Sequence, residues 1–578
     1  MSRGLPFASN PLLQVRLPAF RSRLVMLLVA CAFLALAARA VYLQVLSNEF
    51  LQRQGEVRYG RTLELPASRG KLLDRNGVVL AASLPARAIW AYPEDFKPTP
   101  SQLTELARLL QMPERAITKL VANQEKTFVY LKRQVEASVA AQIEELGIAG
   151  VHQRKEYKRY YPEADALAHV VGFTNVEDTG QEGMELSRDS VLAGKPGSRR
   201  VIRDGRGRTI ESLGMLREPH DGRDLYLSID SKIQYHAFSA LRDAIAEHRA
   251  KAGAVVVLDV RSGEVLALAN LPTYDPNSRG QLSGAQLRNR VITDTFEPGS
   301  TLKPFTTLVA LESGKFTPQS MIETAPGRMT IGKHTISDVH AYGALTVEQV
   351  LQKSSNVGTA KMALTMPPQK MWEMYSAVGF GQAPDIGFPG AVAGRLRPYK
   401  KWRPIEQATM SYGHGISVSL LQLARAYTLF ARDGDIVPLS MMRTNEPAQG
   451  VPVVSARTNK AVRNMLEMAA SASGTAPLAQ VPGYRVAGKT GTAHKQEGGR
   501  YVNKYISSFV GFAPVSDPRL VVAVMIDEPS AGKHYGGLVA APVFSRIVGD
   551  ALRTLRVSPD APLTGQMIPA GAVREGMR

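Results

Sequence analysis

Apolar positions are spread unevenly along this chain. The densest run, Leu24 to Leu46, is broken only by Arg39, Gln44 and a few small residues. As a helix it extends roughly 34 Å, long enough to cross a bilayer. Arg3, Arg16, Arg21 and Arg23 precede it without any Asp or Glu, and acidic residues begin at Glu49. That bias leaves the N-terminus cytoplasmic and everything after about Ser47 outside the cytoplasm. It predicts a cytoplasmic tail over 1–23 and a transmembrane helix over 24–46. A signal peptide cleaved at Ala38-Arg39-Ala40 is the competing reading. Against it, the apolar run continues through Val41-Tyr42-Leu43, and Arg39 near the outer end can snorkel to the interface.

From 47 to 224 the pattern is polar and loop-rich, with short strand-like pieces such as "TFVYLKR", and it predicts an α+β module. In "LLDRNGVVLA" Asn76-Gly77 sits between apolar runs as a hairpin signal. "GSRRVIRDGRGR" holds five arginines between Arg199 and Arg208, a solvated surface or a contact for an acidic partner. The second half reads in a fixed order. "AVVVLDVRSGEVLALAN" is strand, turn, strand; a long region from about Thr301 to Met468 is mostly of helical period; then "RVAGKTGTA", "YISSFVGFAP" and "RLVVAVMID" return to strands. Strands at both ends with helices between them predict one antiparallel sheet covered by helices over 225–556. The Pro/Gly/Ala-rich 557–578 reads as a flexible tail.

Composition narrows the chemistry. The 578 residues exceed a single core and carry 44% hydrophobic and 21% charged residues, as folded multidomain proteins do. The single cysteine, Cys31, lies inside the apolar run, which excludes an intramolecular disulfide, a cysteine-built zinc site and a CxxC redox pair. None of the ten histidines forms a His-Glu-x-x-His pair. A net charge of +19 suggests an anionic partner, and the predicted topology disfavours nucleic acid in favour of anionic lipid or substrate.

Three Ser-x-x-Lys matches occur: Ser68 with Lys71, Ser300 with Lys303, and Ser530 with Lys533. In "FEPGSTLKPF" a helix beginning near Thr301 puts Ser300 and Lys303 on one face, where a desolvated lysine within reach can take a serine proton. The other two pairs straddle Gly-containing turns without a helix to align them. The alternative for Ser300 is an N-cap with Lys303 exposed. Two companions decide between these. "KSSNVG" supplies Ser354-Ser355-Asn356 in a helical region, and "GKTGTA" supplies Lys489-Thr490-Gly491-Thr492 on a strand. The ordered triple Ser-x-x-Lys, Ser-x-Asn, Lys-Thr-Gly is that of β-lactamases and penicillin-binding proteins. "GYRVAGKT" also fits a nucleotide-binding P-loop letter for letter, but Gly491 follows at once where a P-loop needs a helix.

With these motifs the chain resembles the class B penicillin-binding proteins, most closely the septal D,D-transpeptidases of Gram-negative bacteria. The likeness runs from about Arg69 to Phe544 through "RGKLLDRNG", "RYYPEADALAHVVGF", "GQEGMELSRD", "LSIDSKIQ", "FEPGSTLKPF", "KSSNVG", "YGHGISVSLLQLA" and "VAGKTGTA". The resemblance implies a penicillin-binding/β-lactamase-like domain on a pedestal module, anchored in the inner membrane at the division septum with its catalytic domain periplasmic. It implies peptidoglycan stem peptides as substrates, β-lactams as inhibitors, and a SEDS-family glycan polymerase and other division proteins as partners. It implies Ser300 as nucleophile and Lys303 as its base. Ser354 would relay a proton, and Asn356 would bind the substrate amide and help hold Lys303. Lys489, Thr490, Gly491 and Thr492 would receive the terminal carboxylate, with no metal or organic cofactor. An elongation-type transpeptidase, a D,D-carboxypeptidase or β-lactamase-like hydrolase, and a non-catalytic scaffold are the alternatives.

Overall fold

The computed structural model describes residues 18–46, 60–123, 125–203, 209–280, 282–444 and 446–562. Arg3, Arg16, Arg206, Arg208 and the tail beyond 562 lie outside the described residues. The apolar run forms helix α1 (Ala19–Val41), continued by a π-turn over Tyr42–Leu46. Its span has a mean hydropathy of 2.5 with none of it buried by the rest of the chain, so it is long and apolar enough to cross a membrane.

The next module is built on a sheet. The predicted hairpin is present: β1 (Leu72–Leu73) and β2 (Val79–Ala91) pair antiparallel around Gly77 at φ +90°. Further along, β2 pairs with β3 (Val129–Glu136) and β4 (Val151–Tyr160). Helices α2 (Pro100–Leu110) and α3 (Ala137–Glu145) cover one face through Leu106, Leu110, Ala140 and Ile143. Near its root, buried Glu185 accepts from Arg69 Nε at 2.6 Å and Arg159 Nε at 2.7 Å.

This module is welded to the second domain rather than strung beside it. β1 pairs in parallel with β5 (Leu225–Tyr226), and Ser231 Oγ donates to Asp74 at 2.6 Å. Leu72, Leu80, Tyr161, Leu167 and Val170 share one hydrophobic cluster with Leu227, Val256, Phe305 and Tyr427.

The second domain holds a five-stranded antiparallel sheet of β6 (Ala252–Asp259), β7 (Val265–Leu271), β8 (Ala487–Glu497), β9 (Arg500–Ala513) and β10 (Leu520–Asp527), in the order β7-β6-β10-β9-β8. The run "AGAVVVLD" is apolar at successive positions because both faces of β6 are buried. Val255 and Val257 pack toward α4 (Ser231–Glu247) and the last helix, Ala541–Thr554. Val256 and Leu258 pack toward the helical region between β7 and β8.

Two features depart from the sequence reading. Inside the predicted helical region the hairpin Arg328–Ile331/His334–Ser337 interrupts the helices. Beyond 557 the expected tail is docked at its start: Tyr484 OH donates to Val557 O at 2.7 Å, and the Ala561 N–H to Gly483 O at 3.1 Å. Short polar stretches that earn their place through tertiary hydrogen bonds leave no periodic signal.

Candidate active site

The chain reaches Ser300 through a 3-10 turn, Gly299–Leu302, that runs into helix α5 (Lys303–Glu312) with Pro304 in its first turn. Gly299 sits at φ +56°, a backbone state that a side chain disfavours. Its N–H donates to Gly413 O at 3.2 Å. A Cβ on Gly413 would stand 2.1 Å from Gly299 O, and one on Gly491 would stand 2.9 Å from Pro298 O. Glycine at these places thus lets the serine turn, the "YGHG" loop and strand β8 pack backbone to backbone. The turn is fixed from below by Tyr427 OH donating to Thr301 O at 2.8 Å and Thr306 Oγ1 donating to Ser411 O at 2.7 Å. Phe305 packs edgewise on Phe380 and Tyr427.

Lys303 is fully buried directly behind the half-buried Ser300. Its Nζ donates to the Ser354 carbonyl at 2.5 Å and to Ser354 Oγ at 3.0 Å. Ser354 lies between α6 (Val347–Gln352) and α7 (Asn356–Leu364) at φ +60°, a strained state that costs roughly 1–3 kcal/mol and concentrates at functional sites. Burial, reinforced by the nearby Lys489 charge, pulls the Lys303 amine well below the ordinary lysine range, and the Asp338 carboxylate opposes this. Among the described residues Lys303 makes no hydrogen bond to Ser300. Asn356 does not hold Lys303 either: its Nδ2 donates to Ser337 O at 2.9 Å, because the first turn of α7 directs it toward the hairpin.

Across the cleft, Lys489 on β8 is also fully buried, and burial brings its pKa down to about 7. Its Nζ donates to Thr490 Oγ1 at 3.3 Å and Thr475 Oγ1 at 3.4 Å. Thr492 Oγ1 accepts the Gly536 N–H at 3.0 Å. The Cβ position of Gly299 is 3.7 Å from the Thr492 nitrogen, so the backbone of Thr492 borders the serine turn. Lys303, Ser354, Lys489, Gly491 and Thr492 therefore come together around the Ser300 turn, with Thr490 beside Lys489, whereas the Asn356 side chain is turned toward the hairpin. The competing pairs do not: Ser530 Oγ donates to Arg249 O, the Ser68 N–H to Asp221, and neither lies on a helix. The P-loop reading fails as well, since strand β8 begins inside "GYRVAGKT" at Ala487 and runs on to Glu497 where a helix was required.

Sequence reasoning missed two residues. Asp338 accepts from the backbone of Asn356 and Val357 and from Ser355 Oγ, capping α7 and positioning the Ser-x-Asn motif. Thr475 joins Lys489 and Thr490 from a loop that carries no motif. Among the described residues no cluster of His, Cys, Asp and Glu could hold a metal ion.

Two family profiles match the chain: the penicillin-binding protein dimerisation domain over residues 64–227, and the penicillin-binding protein transpeptidase domain over 253–549. The probable peptidoglycan D,D-transpeptidase PenA of Neisseria gonorrhoeae is 44% identical over 95% of both chains. Peptidoglycan D,D-transpeptidase FtsI of Escherichia coli K12 is 42% identical over 93% of both. The solved transpeptidase domain of Burkholderia pseudomallei penicillin-binding protein 3 is 54% identical with a TM-score of 0.54, covering 58% of this chain and 98% of its own. A dimerisation module, then a transpeptidase domain whose cleft holds all three motifs, places the chain in the class B penicillin-binding protein family.

Proposed function

We propose that this chain is the septal peptidoglycan D,D-transpeptidase of its cell, working through an acyl-enzyme on Ser300. The observation that carries the reading is the buried amine of Lys303, pulled well below the ordinary lysine range by desolvation and the nearby Lys489 charge, three residues after a half-buried serine. Ser300 Oγ attacks the penultimate D-Ala carbonyl of a stem pentapeptide while Lys303 takes its proton. The N–H groups of Ser300 and Thr492 receive the developing oxyanion. Ser354, hydrogen-bonded to Lys303, relays the proton to the departing D-Ala, and Asn356 binds the substrate amide. Lys489, Thr490 and Thr492 hold the terminal carboxylate, and Gly491 lets β8 approach the serine turn. An amine from a second stem peptide then resolves the ester into a cross-link, and a β-lactam, mimicking D-Ala-D-Ala, stalls at the ester. This chemistry calls for no metal or organic cofactor.

The same reading divides the chain into a cytoplasmic tail (1–23), an anchor (24–46), a pedestal (47–224), a transpeptidase domain (225–556) and a tail. It places the catalytic domain outside the inner membrane, at the septum, beside a SEDS-family glycan polymerase and other division proteins. The arginine cluster before Leu24 and the full-length similarity to the named transpeptidases support it. The test is product analysis of the purified whole chain given a pentapeptide ending in D-Ala-D-Ala and an amine acceptor. Release of D-Ala with an amide-linked dimer is expected; release of D-Ala with only the hydrolysed tetrapeptide would favour a carboxypeptidase. Depletion in cells should give filaments, whereas rounding would indicate an elongation role.

A further inference from the structure

Beside the serine turn lies an open pocket of about 290 Å³ lined by His414, His494, Tyr501, Val502 and Asn503, which the acylation chemistry leaves unused. Bonded to two of these lining residues, His414 and Tyr501, is Glu297, three residues before Ser300. The Glu297 side chain is 13% exposed and its carboxylate is held by the Gly415 N–H at 2.8 Å and Tyr501 OH at 3.0 Å. His414 Nδ1 stands 3.3 Å from Glu297 Oε2, and Tyr412 and Tyr501 pack edgewise on its ring. His414 lines the pocket, and among the described residues its Nε2 makes no hydrogen bond. The pocket adjoins the reacting centre on two sides. Gly413, next to His414, touches Gly299, and His494 follows Thr492 by two residues on β8.

The deacylation half of the reaction needs such a group. The Lys303–Ser354 relay that hands one proton to the departing D-Ala can take one proton back from an arriving amine. A primary amine in neutral water arrives as an ammonium, however, and carries one proton more than that relay accepts. We propose that this pocket binds the ammonium group of the acceptor stem peptide, with Glu297 as its counter-charge, and that His414, oriented by Glu297, removes the extra proton. One N–H proton passes to His414 Nε2, giving a neutral amine and an imidazolium held against Glu297. The amine lone pair forms the C–N bond at the Ser300 ester carbonyl. The C–Oγ bond breaks, Ser300 Oγ regains a proton from the attacking nitrogen through Ser354 and Lys303, and His414 returns its proton to water. The inference rests on the transpeptidase reading and names the residues that would favour an amine over water at its second step.

The test uses the solubilised whole chain with an N-acyl-D-alanyl thioester as donor and the tripeptide L-Ala-γ-D-Glu-L-Lys as acceptor. The readout is the ratio of aminolysis to hydrolysis product. Both products come from the same acyl-enzyme, so the ratio does not depend on the acylation rate or on the folded fraction. In His414→Gln it should fall roughly 100-fold, the scale of general-base assistance, and in Glu297→Gln it should fall too. Added imidazole should restore the ratio in His414→Ala, which a merely structural histidine would not allow. An unchanged ratio in His414→Gln, or a lowered ratio that imidazole cannot restore, would overturn the inference. A wild type that neither turns over the thioester nor takes penicillin on Ser300 would instead sink the parent reading.

Discussion

Lys303 can serve as a base only while its amine is neutral, and its surroundings hold it neutral further toward acid than an exposed lysine would be. Acylation should therefore rise with pH through the depressed Lys303 pKa, and Lys303→Ala should nearly abolish it, as measured by the second-order rate of penicillin labelling. Lys489 works in the opposite sense, since it must be charged to hold a carboxylate. Burial places it at about 7 in the free enzyme, so carboxylate ligands should bind progressively more weakly above about pH 7. Lys489→Ala should flatten that dependence and weaken acylation less completely than Lys303→Ala, because the nucleophile and its base remain. The stability sign follows from the same shift. The folded pKa of Lys489 lies below its unfolded value near 10.5, so burial of the charge costs stability in full below about 7 and is relieved as pH rises toward 10.5. Thermal melts of Lys489→Met should accordingly show a raised Tm at about pH 6 and a smaller gain at about pH 9, with activity lost, the usual exchange of function for stability. An equal gain at both pH values would contradict the shift.

At the level of elements, the site depends on backbone meeting backbone and on one helix cap. Gly413→Ala would drive a methyl group to 2.1 Å from Gly299 O, and Gly299 leads into the nucleophile. We expect penicillin acylation to fall at least tenfold while the circular dichroism spectrum is kept; an unchanged rate would mean that the turn can yield. Asp338 caps α7 and also raises the Lys303 pKa, so Asp338→Asn should move the acid limb of the acylation profile to lower pH. A shift to higher pH would rule out that electrostatic role. Asp338 marks the limit of what the sequence discloses. The apolar anchor, the β6–β7 hairpin, the three terminal strands and the three catalytic motifs were all legible, because periodicity or a fixed spacing repeats the same physical requirement along the chain. Asp338, Thr475 and the Glu297–His414 pair were not legible, because each acquires its partner only when segments distant in sequence fold together. The holder of Lys303 was likewise misassigned: Asn356 matched a pattern, but the left-handed backbone of Ser354 aims its carbonyl and hydroxyl at the amine.

For the whole molecule, the shared core between pedestal and catalytic domain qualifies a simple division of labour. A chain beginning near Arg223 lacks Leu72, Leu80, Tyr161 and Leu167, all buried against the second domain. It keeps every residue of the cleft, and the transpeptidase domain of the Burkholderia relative was solved by itself. It should fold, take penicillin on Ser300, and melt below the full-length protein; a folded fragment unable to bind a β-lactam would show that the pedestal shapes the site. The orientation drawn from the arginine cluster predicts that a reporter fused after Arg578 is active only outside the cytoplasm, and activity of a cytoplasm-only reporter there would reverse it. The most direct test of the central claim is intact-mass measurement of the penicillin-treated whole chain followed by peptide mapping. The account predicts one adduct, on the peptide containing Ser300, absent from Ser300→Ala and retained in Ser68→Ala and Ser530→Ala; an adduct on any other peptide, or persistent labelling of a folded Ser300→Ala protein, would contradict it.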